Sequence, residues 1–144
     1  GFAQAVREQQ KDPRQRRLRM VEVKDHLLRR LREEIPELSI HTPSFSAPSV
    51  LNIGFIGCKG EVLLHMLEQA GIFVSTGSAC SSKKSGSHVL AAMGLSEAQT
   101  EGAIRFSLSE ENTPDQMEYV VDVLKKAVAS QRRLRKALAK EKKV

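Results

Sequence analysis

Apolar and polar positions along this chain switch repeatedly between a helical and a strand period. Leu18, Val21, Leu28 and Leu31 recur at helical spacing after Asp12-Pro13, a pair suited to an N-cap and the first helical position. That run stops before Pro36, because proline disfavours helix in the residue it follows. Ahead of it, residues 2–10 read as a shorter helix ending near Asp12. Residues 50–56 alternate instead, with Leu51, Ile53 and Phe55 on one face and Asn52 and Gly54 on the other. Residues 103–109 do the same, setting Ile104, Phe106 and Leu108 opposite Arg105 and Ser107. Between these strands, residues 60–69 form an amphipathic helix with Val62, Leu63, Met66 and Leu67 inward. Gly71 then opens a strand at 72–75, and residues 38–41 suit a short edge strand. Pro43, Pro48 and three serines mark 42–49 as a loop.

The remaining elements carry their own punctuation. Gly94 is placed to end a helix at 88–93, and Ser96 with Gln99 resembles a capping box for one short turn. Thr113-Pro114 with Gln116 starts the last helix, which buries Met117, Val120, Val121, Leu124 and Val128. Beyond Ser130 the apolar stripe thins to Leu134 and Leu138, so residues 131–144 are expected as a basic, exposed helical tail. Three or four strands flanked by helices, without strict βαβ repetition, predict an α+β domain with a small, mostly antiparallel sheet.

Composition narrows this picture. At 144 residues and 40% hydrophobic, the chain suits one ordinary domain with a real core. It has no apolar run of transmembrane length and no signal-peptide pattern, so no membrane partner is expected. Cys58 and Cys80 make no CxxC pair, which suits a reducing, cytoplasmic setting and argues against structural zinc. The chain opens Gly1-Phe2-Ala3 without Met and already reads as helix, as a piece of something longer would. The net charge of +6 gathers at 14–32 and 132–143, stretches that contain no aromatic residue. Nucleic-acid binding, which wants stacking platforms beside basic charge, is therefore not expected. Solvated helix faces and docking onto an acidic protein both account for the charge.

The chemistry concentrates in Ser75-Thr76-Gly77-Ser78-Ala79-Cys80-Ser81-Ser82-Lys83-Lys84-Ser85-Gly86-Ser87. A packing cysteine has apolar neighbours, whereas Cys80 has Ser, Thr, Gly and two lysines. Nearby ammonium groups favour the thiolate, and a Gly/Ser loop lets the sulfur travel, so Cys80 reads as a mobile, reactive thiol. Arg105 is the second candidate. If Ile104 and Phe106 face the core, its guanidinium faces outward, either as an ordinary surface arginine or, favoured by the nearby Cys80 segment, as a rigid fork matched to a substrate carboxylate. Cys58 follows a strand, where packing or a turn accounts for it. His88 begins the helix after the loop, either influencing Cys80 or standing near a helix cap. His26, His41 and His65 sit in separate elements and receive no role.

Three ordered segments now resemble one family. Residues 75–82, His88-Val89-Leu90-Ala91-Ala92-Met93-Gly94 and Ala103-Ile104-Arg105-Phe106-Ser107-Leu108 are similar to the C-terminal part of a cysteine desulfurase. Pro48-Ser49-Val50-Leu51-Asn52-Ile53-Gly54-Phe55 and the helix at 60–69 match in order and spacing, so the resemblance runs from Gly1 to about Arg133. These are pyridoxal-phosphate enzymes of the class-V aminotransferase group, of the nitrogen-fixation and iron–sulfur assembly type. The resemblance implies the small C-terminal domain of that fold. Residues 1–11 would end a helix leading in from a large domain, 12–130 would form the small domain, and 76–87 would be the catalytic loop. It further implies Cys80 as the nucleophile that receives sulfur from L-cysteine as a persulfide, leaving L-alanine. Arg105 would grip the substrate's α-carboxylate, and Gly77 and Gly86 would serve as hinges. Pyridoxal 5′-phosphate, its Schiff-base lysine and most homodimer contacts belong to the large domain. The isolated chain is therefore expected to bind no cofactor and to be inactive. A sulfur acceptor or iron–sulfur scaffold protein is the implied partner. The loop departs from the family pattern: Lys83-Lys84-Ser85-Gly86-Ser87 stands where many relatives carry Leu-Glu-Pro-Ser. A non-catalytic basic domain that docks acidic proteins is the alternative, and it would need no reactive Cys80.

Overall fold

Two alternating segments form the centre of the fold. In the computed structural model, which describes residues 1–10, 12–76 and 88–141, β2 (Val50–Phe55) lies between β1 (Leu38–Ile40) and β3 (Ala103–Ser107). Both pairings are antiparallel, with Ile53 opposite Ile40 on one side and Ile104 on the other. The described residues also form six helices: α1 (Phe2–Gln10), α2 (Pro13–Glu34), α3 (Gly60–Gln69), α4 (His88–Ala92), α5 (Glu97–Thr100) and α6 (Pro114–Glu141). The α+β architecture with a small antiparallel sheet is as the sequence predicts. The segment at 72–75 departs from prediction, making one isolated bridge at Ser75 rather than a fourth strand. Ile72 and Val74 still pack against the core, while Phe73 points into solvent.

Alternation sorts the sheet into two unlike faces. Leu51, Ile53, Phe55 and Ile104 are fully buried and join Leu63 and Leu67 of α3, Leu27 and Leu31 of α2 and Leu124 of α6 in one core. Each such side chain contributes roughly 1.5–3 kcal/mol on burial. Val62 of α3, expected inside, is 43% exposed, because Leu63 and Leu67 already fill the space beneath that helix. Gln15 N–H donates to Asp12 Oδ1 at 3.2 Å, so the predicted cap of α2 is present. The inward face of α2 differs from expectation. Val23, Leu27 and Leu31 are buried, whereas Leu18 is 58% exposed and Leu28 only partly covered. Two stripes on α2 have helical spacing, and packing against α6 selects the one at 23, 27 and 31.

The two long helices are also joined by charge. Arg30 Nε donates to both Glu118 carboxylate oxygens at 3.0 and 3.1 Å, His26 Nε2 lies 2.6 Å from the same carboxylate, and Lys125 Nζ lies 2.5 Å from Glu34. The Arg30 hydrogen bond, followed by His26, holds the Glu118 carboxyl below its usual range. These groups are partly exposed, so the pairs align α2 with α6 more than they stabilise the fold. At the far end of α6, Leu134 and Leu138 are exposed as expected. Arg132 is not solvated: it donates to the carbonyls of Ile56 at 3.0 Å, Pro36 at 2.9 Å and Glu37 at 3.2 Å. No helix among the described residues is long and apolar enough to cross a membrane.

The choice of stripe on α2 is testable by denaturant unfolding. Leu27→Ala should cost about 2–5 kcal/mol, while Leu18→Ala should stay within about 0.5 kcal/mol of the parent. Equal losses at the two positions would reject the assigned face.

Candidate functional site

Arg105 sits on β3 between Ile104 and Phe106, which are 0% and 4% exposed, so alternation turns it to the outer face. Its backbone exchanges two hydrogen bonds with Ser75, Arg105 N–H to Ser75 O at 2.7 Å and Ser75 N–H to Arg105 O at 3.1 Å. The guanidinium Nη2 also donates to Ser75 Oγ at 3.2 Å. An exposed cationic fork is therefore tied to the segment that reaches Cys80 five residues later. Cys80 itself lies outside the described residues, as do the expected hinges Gly77 and Gly86 and the lysines Lys83 and Lys84. The structure thus brings Arg105 against Ser75, at the end of the described residues that precede Cys80. The guanidinium has donors free to hold a carboxylate in two hydrogen bonds.

The rest of this face is polar on one half and covered on the other. Asn52 lies opposite Arg105 in the β2–β3 register, and His41 Nδ1 stands 2.7 Å from Asn52 Oδ1. Asn52 N–H donates to Thr42 Oγ1 at 2.6 Å, which anchors the loop that follows β1. At Gly54 a Cβ would collide with the Gln99 carbonyl and lie 2.9 Å from His41 Cε1, so only glycine lets α5 and the imidazole close over the sheet. Gln99 in turn accepts from Ser96 N–H at 2.9 Å, the reach-back bond of the predicted capping box, and donates to Ser39 Oγ at 3.3 Å. His41 and Asn52 carried no assignment from sequence. The available signal was the alternation that puts Asn52 on the same face as Arg105.

The start of α3 closes against Thr76. Gly60 N–H donates to Glu101 O at 2.8 Å, and a Cβ at Gly60 would stand 3.2 Å from Thr76 Cγ2. Cys58, just before it, is 2% exposed and packs in the core. Burial pushes its thiol up, and the opposing pull of Arg132 and Arg135 is smaller, so the thiolate is disfavoured. The remaining histidines with described side chains make surface pairs, His26 with Glu118 at 2.6 Å and His65 with Glu68 at 3.3 Å. His88 opens α4, and its side chain lies outside the described residues.

Comparison with known proteins gives a consistent picture. The family profile described as aminotransferase class-V matches residues 8–120. A protein named cysteine desulfurase IscS from Clostridium botulinum is 39% identical over 116 residues, covering 78% of this chain and 29% of the relative. A cysteine desulfurase from Sinorhizobium fredii is 37% identical over 118 residues, covering 81% of this chain and 30% of the relative. A solved structure titled NifS-like protein superposes with a TM-score of 0.70 at 28% identity, over 83% of this chain and 29% of the other. The chain therefore spans about three tenths of the length of the curated relatives it matches.

Burial of Cys58 sets up a direct comparison of the two thiols. Iodoacetamide at neutral pH should alkylate Cys80 well before Cys58, as read by peptide mass spectrometry. Equal rates, or Cys58 first, would remove the case for a reactive Cys80.

Proposed function

The chain belongs to the class-V aminotransferase family, and on that premise we propose that it is the C-terminal part of a cysteine desulfurase. The observation that carries this reading is Arg105, an outward guanidinium bonded through backbone and side chain to Ser75, where the Cys80 segment begins. Relatives named cysteine desulfurase, 37–39% identical over most of the chain, support it.

In this reading Arg105 binds the α-carboxylate of L-cysteine and fixes the substrate's orientation. The Cys80 thiolate then attacks the substrate sulfur. An S–S bond forms, the Cβ–S bond breaks, and the electron pair left on carbon is protonated to give L-alanine. Cys80 retains the sulfur as a persulfide, which it passes to an acceptor for iron–sulfur cluster assembly or another sulfur transfer. Burial of Cys58 keeps the second thiol out of this chemistry.

Pyridoxal 5′-phosphate is the cofactor of this activity, and it provides the electron sink. The described residues do not by themselves build its site. The outer face of the sheet carries Ser39, Asn52, Arg105 and Ser107 but no lysine, while Lys24 is bonded to Ser46 and Ala47, and Lys125 to Glu34. We assign the cofactor to the part of the enzyme that this chain does not span, and the isolated chain is expected to be inactive. Residues 1–11 lead in from that larger part, 12–130 form the small domain, and 131–144 present basic charge to the acceptor. The full-length enzyme is expected to be a homodimer.

Two measurements on the full-length enzyme test this reading. Arg105→Lys keeps the charge but loses the fork, at a cost of roughly 1.5–3 kcal/mol, so kcat/KM for cysteine should fall at least about tenfold. L-Alanine affinity should fall with it, and unchanged affinity for both amino acids would make Arg105 merely structural. Replacing the exposed Arg133, Lys136 and Lys140 by Gln, with Arg132 kept, should leave alanine release nearly unchanged and slow sulfur transfer. That difference should shrink near 1 M salt, where the Debye length is about 3 Å. Transfer unaffected at low salt would remove the docking role of this helix.

A further inference from the structure

A continuous cross-strand row runs over the outer face of the sheet from His41 through Asn52 and Arg105 to Ser75. Arg105 faces Asn52 in register and bridges to Ser75 on its other side. His41 N–H donates to Asn52 O at 3.0 Å, which places His41 beside Asn52 just past the end of β1. Arg105 directs its N–H and C=O to Ser75, while Asn52 directs its own to Thr42 and His41. Asn52 and Arg105 are therefore a non-hydrogen-bonded antiparallel pair, the kind whose side chains stand closest, with Cα atoms about 4.5 Å apart.

The imidazole of His41 holds one end of this row. His41 is 5% exposed, and its Nδ1 lies 2.7 Å from Asn52 Oδ1. An amide oxygen only accepts, so Nδ1–H donates to it, which leaves Nε2 as the ring's other nitrogen. That Nε2 is buried without a hydrogen-bond partner among the described residues, in space that a Cβ at Gly54 would enter at 3.0 Å. An unpaired buried nitrogen is unfavourable, yet the ring sits where its other nitrogen orients one amide. With Oδ1 engaged by His41, the planar Asn52 amide turns its NH₂ away from β1. That NH₂ has no partner among the described residues.

We propose that Asn52 is a second donor to the substrate carboxylate beside Arg105, and that His41 positions its amide. A carboxylate has about four lone-pair sites, so the guanidinium fork leaves room for a third N–H. A neutral amide adds that hydrogen bond without adding charge to the face. The inference rests on the cysteine desulfurase reading, which supplies an amino acid as the ligand.

The test compares dissociation constants of L-alanine and L-alaninamide, which lacks the carboxylate, on the full-length enzyme by calorimetry. The ratio of the two isolates carboxylate recognition from general loss of structure. Asn52→Ala should weaken L-alanine about tenfold while alaninamide changes little. Asn52→Asp, isosteric but anionic, should weaken L-alanine further. His41→Leu removes the donor while filling its space, and should bring the ratio toward that of Asn52→Ala. If both Asn52 variants keep the parental ratio while Arg105→Lys collapses it, the proposal is overturned and the desulfurase reading stands. An unchanged ratio in His41→Leu alone removes the positioning role. A parent enzyme with no preference for L-alanine overturns proposal and reading together.

Discussion

Side chains on a strand alternate between its two faces, and here one face must be buried. Leu51, Ile53 and Phe55 on β2 and Ile104 and Phe106 on β3 can all enter the core only if the two strands pair so that these positions share one face, as they do in the observed register. A slip of one residue in either strand would push Asn52 or Arg105 into that core. The outward direction of Arg105 and its apposition to Asn52 are thus consequences of core packing. The candidate site needs no separate scaffold, because it is the reverse side of the hydrophobic sheet.

The long helix α6 ties this sheet to its surroundings at two levels. Its stretch from Met117 to Val128 supplies Met117, Val121, Leu124 and Val128 to the core beside α2. Further along, Gln131 Oε1 accepts from Lys59 N–H at 3.0 Å, and Arg132 reaches the carbonyls of Ile56, Pro36 and Glu37. These bonds hold the turns that enter β1 and α3. Since α3 begins against Thr76, the root of the Cys80 segment is packed on a turn that α6 fastens. Basic charge near the end of a helix therefore does structural work at one position and is left exposed at the next.

Much of the site was legible as pattern. Arg105 could be read as outward because its neighbours alternate, and Cys80 stood out because its neighbours are small and polar. The roles of His41 and Asn52 were not legible. They lie 11 residues apart, in a loop and a strand whose pairing only the folded sheet establishes. Gly54 likewise reads as a weak strand residue until the Gln99 carbonyl and the His41 ring are seen against it.

The sequence by itself determined most of the elements, their caps and which strand faces are apolar, because alternation and capping act between residues close in the chain. Asp12, Ser96 with Gln99, and Thr113 with Gln116 all form the local bonds their spacing implies. Tertiary structure decided which of two helical stripes on α2 faces inward, and it reduced the segment at 72–75 to a single bridge. It also took Arg132 out of the solvated charge and gave it three backbone carbonyls. Each of these depends on what lies opposite, and local spacing carries no information about a partner that the fold brings from far along the chain.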